Sequence, residues 1–155
     1  MSGAKGTVVV ANGYERVDGR NAFHSAIRRI TLGAPVREEN EAMRIAAQIW
    51  ADEAGAPGLY AELPIHQVID LAIVLGEALL HFREAYRLPL LYDPEHPEIA
   101  RVGLQGAALP VAICTENEGI DDDIRDFAQA LAELGEITGE RLRVLGNILE
   151  ELEWG

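Results

Sequence analysis

Mainly apolar residues recur at helical spacing in the last part of the chain, from Asp121 to Glu153. In a helical projection with about 100° per residue, these residues form one stripe about 80° wide. Its members are Ile124, Phe127, Leu131, Leu134, Thr138, Leu142, Leu145, Leu149 and Leu152. Because the stripe keeps its phase across Gly135 and Gly139, the sequence predicts one continuous helix. A helix with such a stripe has to pack it against other elements, and this requirement constrains the whole fold.

A second strip, made of small residues, lies beside the apolar stripe. Its members are Ala128, Ala132, Gly135, Gly139 and Gly146. A glycine in a helix costs about 1 kcal/mol relative to alanine, so several are expected only where another helix approaches closely. We therefore expect the chain to form a homo-oligomer with this strip at or near the contact, although a helix of the same chain would fill it equally well. On this interpretation Gly139→Leu disrupts the assembly by a steric clash.

Helical periodicity and start and stop signals predict further helices upstream. They are a short helix over Asn21–Ile30 and longer ones over Val36–Ala54, over Pro64–Arg87 and near residues 97–108. With the last helix, these segments give four main amphipathic helices plus one short helix.

The predicted fold class is all-α, a single-domain helical bundle over residues 20–155. Residues 1–19 contain one strand-like run, Thr7–Ala11, for which the sequence offers no partner. An isolated strand is not stable, so this segment is predicted to be a flexible N-terminal arm or to pair across a dimer.

Charge and cysteine usage exclude several classes of protein. The chain has 155 residues with 13 basic and 26 acidic side chains, a formal net charge of −13. This charge repels phosphate backbones and anionic lipid, so we expect no nucleic acid and no membrane as partner. Cys114 is the single cysteine, which excludes an internal disulfide, and its apolar surroundings predict a buried structural thiol. We expect a cytoplasmic location.

The predicted third helix carries the candidate catalytic residues His66, Asp70, Glu77, His81 and Glu84. They share one stripe about 60° wide on a helix that is otherwise almost entirely apolar. Such a helix is normally buried, and buried ionisable groups pair, bind a metal or take part in a reaction. The simpler alternative is the solvated face of an ordinary amphipathic helix.

Two kinds of chemistry fit this stripe. In an acid–base pocket, His81 would pass a proton while Glu77 or Asp70 orients it or acts as the base. In a metal site, His66 with Asp70 and Glu77 with His81 would provide ligands four residues apart. Neither pair has the Glu-x-x-His spacing of di-iron bundles or the His-Glu-x-x-His spacing of zinc proteases, so the metal and the cofactor stay unknown.

A basic edge formed by Arg20, His24 and Arg28 is a candidate substrate-binding anion clamp, with a solvated edge as the alternative. The chain has no phosphate-binding glycine loop and no serine in a nucleophile elbow. Two functions stay open. One is a helical bundle that binds a small-molecule ligand or performs acid–base chemistry in a pocket lined by the third-helix stripe, and the other is a non-catalytic homodimeric interaction module.

Overall fold

The computed structural model describes residues 6–19, 26–37, 42–53 and 55–152. These residues form six β-strands in two antiparallel sheets and four α-helices. The fold is therefore mixed α and β, and the predicted all-α bundle with a flexible arm is wrong. The chain divides into two compact units, Met1–Ile73 and Val74–Gly155. The boundary predicted between residues 19 and 20 stays a prediction.

The first unit contains a four-stranded sheet with the strand order β1-β2-β3-β4. Each strand pairs antiparallel with the next one along the chain. The strands are β1 (Thr7–Asn12), β2 (Ile27–Gly33), β3 (Ala46–Glu53) and β4 (Ala56–Pro64), and the short helix α1 (Tyr14–Gly19) follows β1. The strand-like run at the N-terminus is thus paired within its own chain, and the arm interpretation is wrong.

Strands β2 and β3 occur where the sequence predicted helices. In β3, Ala47, Ile49 and Ala51 alternate with Gln48 and Trp50, so that successive side chains point to opposite faces of the sheet. The same apolar residues also fit a helical spacing, and alanine favours a helix in isolation. Pairing with strands on both sides outweighs that propensity.

The predicted short helix over Asn21–Ile30 is wrong where it overlaps β2, and residues 20–25 lie outside the described residues.

The second unit contains a β-hairpin where the sequence predicted a helix near residues 97–108. Its strands are β5 (Glu98–Leu104) and β6 (Ala107–Ala112). Between them Gln105 and Gly106 have φ angles of 53° and 81°. Two successive residues with positive φ form the turn that best matches the twist of a hairpin, and glycine adopts such angles without strain. The helical prediction is therefore wrong because this turn reverses the chain.

The remaining helices agree in part with the sequence. Helix α2 (Ile65–Glu84), continued by a 3₁₀ turn at Ala85–Arg87, confirms the helix predicted over Pro64–Arg87. The single helix predicted over Asp121–Glu153 is wrong, because the structure has α3 (Ile120–Glu133) and α4 (Gly135–Glu151).

The break between α3 and α4 lies at Leu134. The Leu134 N–H donates to the Ala130 carbonyl, and the Thr138 N–H donates to the Leu134 carbonyl, both at 2.9 Å. Helical hydrogen bonds therefore continue on both sides of the break, which explains how one apolar stripe covers two helices.

Few side chains of the described residues are buried. Thr31 and Ala51 in the first unit, and Ala85, Tyr92 and Ile124 in the second, are 1–6% exposed. Cys114 is exposed, so the prediction of a buried thiol is wrong. Thr31 and Ile124 are therefore the positions at which we expect a substitution to destabilise each unit most.

Helix α2 contains no buried residue, although its most apolar window has a mean hydropathy of 1.5. By length and composition alone, Ile65–Arg87 qualifies to cross a membrane. Core helices of soluble proteins pass the same test, so this is weak evidence. The absence of a membrane partner and the cytoplasmic location stay predictions.

Candidate ligand site on the four-stranded sheet

A row of polar side chains crosses three strands of the first unit on one face of the sheet. Thr31 of β2 pairs with Gln48 of β3, and Gln48 pairs with Glu62 of β4. Directly opposed residues in antiparallel strands point to the same face, so the three side chains lie side by side. Trp50 is two residues beyond Gln48 and shares that face.

A continuous chain of hydrogen bonds connects these side chains. Trp50 Nε1 donates to Thr31 Oγ1, and that hydroxyl donates to Gln48 Oε1, both at 2.8 Å. Gln48 Nε2 in turn donates to Glu62 Oε2, also at 2.8 Å. An indole N–H can only donate and an ionised carboxylate can only accept, so the two ends set the direction of every bond in between. The row is therefore fixed in one arrangement.

The row lines a cavity of about 430 Å³ in the first unit. Gln48, Trp50 and Glu62 contribute to its wall, together with Arg44 and small residues such as Gly33. Reciprocal backbone hydrogen bonds, both at 2.8 Å, connect Arg44 to Val36, which also lines the cavity. A volume of this size is within the range of roughly 300–1,000 Å³ that is typical of small-molecule sites.

The indole of Trp50 is held from a second direction. The guanidinium carbon of Arg29 lies 4.7 Å from the centroid of the ring, which is a cation–π contact. Together with the hydrogen bond to Thr31, this contact fixes the ring next to the cavity. The wall thus combines a flat apolar surface, an amide and a carboxylate, which are the groups that orient a small polar ligand.

The five candidate catalytic residues all lie on α2. His66 and Glu84 are exposed, whereas Asp70, Glu77 and His81 are half-buried. Within the part of the chain that the structure describes, no group of three His, Cys, Asp or Glu side chains could hold a metal ion. Their catalytic role stays a prediction, but the helical-bundle pocket that they were predicted to line is wrong, because the fold is not an all-helical bundle.

His81 has a structural partner. Its Nε2 lies 2.9 Å from the carbonyl oxygen of Leu91. A carbonyl can only accept, so Nε2 carries the proton. Leu91 has a φ of 68°, a left-handed conformation that a leucine adopts only at an energetic cost. The hydrogen bond from His81 therefore helps to hold a strained turn.

We expect His81→Ala to destabilise the second unit by about 1–2 kcal/mol, because the half-buried Leu91 carbonyl loses its donor. Chemical denaturation followed by circular dichroism measures the change. His96→Ala is the matched control, since His96 lies in the same unit with its side chain 81% exposed, and it should change the stability by less than about 0.5 kcal/mol. Equal effects of the two substitutions would contradict the structural role of His81.

One residue of the predicted basic edge, Arg28, lies in a strand and not on a helix. Arg28 lies in β2, where its Nε donates to Asp52 Oδ2 at 2.8 Å. This hydrogen bond raises the pKa of Arg28 further above its ordinary value. Arg20 and His24 lie outside the described residues. Arg28 therefore does not lie on the helix face from which the anion clamp was predicted.

Thr31, Gln48, Trp50 and Glu62 are not among the site residues predicted from the sequence. The sequence contains a signal for the strand that carries two of them. Gln48 and Trp50 alternate with Ile49 and Ala51, and this period of two is typical of a strand. Their connection to Thr31 and Glu62 depends on strand register, which a local pattern does not contain.

Comparison with known proteins identifies a family but no activity. The model of a family described as "Family of unknown function (DUF6530)" matches residues 2–154 of the chain. No curated protein and no solved structure matches the chain.

Proposed function

The chain belongs to the DUF6530 family, whose function is unknown, and from its geometry we propose that it is a small-molecule-binding protein. The ligand site is the cavity on the polar face of the β1–β4 sheet. The observation that carries this proposal is the hydrogen-bonded row from Trp50 to Glu62 along a cavity of about 430 Å³. Because the row is already ordered, little freedom is lost when a ligand binds.

The wall chemistry indicates the class of ligand. The carboxylate of Glu62 accepts one hydrogen bond from Gln48 and has further lone pairs to accept a donor from a ligand. The Trp50 ring offers a flat apolar surface. Arg44 and Glu62 give the cavity wall one charge of each sign, and the net charge of −13 of the whole chain disfavours an anion. We expect a neutral or cationic planar compound that carries an N–H donor.

A fragment screen on the full-length chain tests the proposal. The readout is the indole N–H resonance of Trp50 in ¹H–¹⁵N correlation spectra, recorded in a Trp154→Phe background so that Trp50 is the only tryptophan. Planar amines and amidines form one arm, and planar carboxylates and inorganic phosphate form the other. We expect saturable shifts in the first arm. If no fragment shifts this resonance, or if only the anions do, the proposed site or its ligand class is wrong.

Glu62→Gln should weaken the binding of a cationic fragment about tenfold, because a charge-assisted hydrogen bond contributes about 1.5–3 kcal/mol. Glu133→Gln is the matched control, since Glu133 also accepts from a glutamine, Gln129, but belongs to α3 and is not among the residues of the cavity wall. It should leave the affinity unchanged. An equal loss in both variants would show a general effect of charge.

Filling the cavity provides a test that removes no polar group. A Cβ at Gly33 would lie 3.5–3.9 Å from its nearest neighbours, an ordinary contact distance. Gly33→Val should therefore keep the sheet folded, since β-branched residues favour strands, while its methyl groups occupy space in the cavity. We expect fragment binding to be lost without a drop in the melting temperature. Unchanged binding would place the ligand elsewhere.

A further inference from the structure

Helix α4 carries an uncovered apolar seam. Leu142, Leu145, Leu149 and Leu152 follow one another at steps of three, four and three residues, the heptad spacing of helices that pair lengthwise. They are 41–58% exposed, and Ile148 beside them is 51% exposed. No residue of α4 is buried. Among the described residues of the second unit, this seam therefore has no partner.

Two glycines, seven residues apart, mark one edge of the seam. A Cβ built at Gly146 has no atom within 4 Å, and one built at Gly139 meets only the flexible guanidinium of Arg143, at 3.4 Å. Glycine is the poorest helix former after proline, so these positions weaken α4 as an isolated helix. The open space beside them allows another backbone to approach closely.

We propose that the chain self-associates through α4. Two α4 helices from two copies form an antiparallel pair whose midpoint along the helix axis is at the level of Asn147. In this arrangement Leu142 lies level with Leu152 of the second copy, and Leu145 lies level with Leu149 of the second copy. The glycine edges of the two helices then face each other, since a two-fold axis across an antiparallel pair brings like edges together.

A second copy matches this seam, because the chain itself supplies a helix with the same spacing. The five aliphatic side chains are 41–58% exposed, so the pairing of two copies covers apolar surface on both helices at once.

Charge favours the antiparallel direction. Centred on Asn147, the pair brings Arg143 within one residue step of Glu150 of the second copy, on the same edge. A parallel pair would set Arg143 level with Arg143 of the second copy. Opposite charges that flank an apolar seam set the orientation of paired helices.

Sedimentation velocity of the full-length chain at tens of micromolar tests the proposal. We expect a dimer for the wild type and a monomer for Leu145→Lys. Gly146→Leu is the sharper variant. It should raise the dimer dissociation constant at least about tenfold. The helical signal in circular dichroism should stay equal or increase, because leucine favours a helix and a Cβ at this position has no atom within 4 Å. Asn147→Leu adds the same side chain to the opposite face and should remain dimeric.

Exchange of the charges tests the orientation. Arg143→Glu or Glu150→Arg alone should weaken the dimer, and the two together should restore it. A wild-type chain that sediments as a monomer overturns the proposal, and so does a Gly146→Leu variant that dimerises as the wild type does. If each single charge variant weakens the dimer but the double variant does not restore it, the antiparallel arrangement is wrong.

Discussion

Thr31→Val is expected to destabilise the four-stranded sheet by about 2–3 kcal/mol. Thr31 is 1% exposed, and its hydroxyl accepts a hydrogen bond from Trp50 Nε1 and donates one to Gln48 Oε1. Valine has nearly the same shape but can do neither, so an indole N–H and an amide oxygen both lose their partner. An unsatisfied buried polar group costs about 1–3 kcal/mol, and both groups here are only partly buried.

The unfolding of the sheet has to be observed by itself, because a chain with two compact units need not unfold in one step. Urea unfolding followed by Trp50 fluorescence, in the Trp154→Phe background, reports on the first unit alone. Thr31→Ser is the matched control, since it keeps the hydroxyl and removes only a methyl group. We expect it to destabilise the sheet less than Thr31→Val does. The reverse order would show that the methyl group, and not the hydrogen-bonded row, holds this position.

Ile124→Ala is expected to destabilise the second unit by about 2–4 kcal/mol. Ile124 of α3 is 3% exposed, and deletion of a buried aliphatic side chain loses its transfer free energy and leaves a cavity. The helix that carries it is held by few other contacts, among them the Phe82–Phe127 ring pair with centroids 5.3 Å apart. The loss should therefore free α3 from the end of α2.

Hydrogen exchange of the α3 amides, together with urea unfolding followed by circular dichroism, measures this effect. Leu80→Ala is the control, since Leu80 is 52% exposed on α2 within the same unit, and it should change the stability by less than about 0.5 kcal/mol. If Ile124→Ala were as mild as Leu80→Ala, the small core of the second unit would not stabilise it.

The candidate site illustrates where the sequence-based prediction failed. Asp70, Glu77 and His81 were placed on one helix, and this part could be predicted because helical geometry is local. The row from Trp50 to Glu62 could not be predicted, because Thr31 and Gln48 are 17 residues apart and meet only through the register of β2 and β3. A shift of the register by one residue would turn Gln48 and Trp50 to the other face.

The sequence by itself determined the properties that depend on composition or on short-range geometry. These are the net charge of −13, the absence of an internal disulfide, the helix at Ile65–Glu84 and the apolar stripe that now covers α3 and α4. Only the tertiary structure decided between helix and strand for the segments that became β2, β3, β5 and β6. Short runs rich in alanine and isoleucine satisfy the periods of both elements, and the hydrogen bonds that stabilise a strand come from residues elsewhere in the chain.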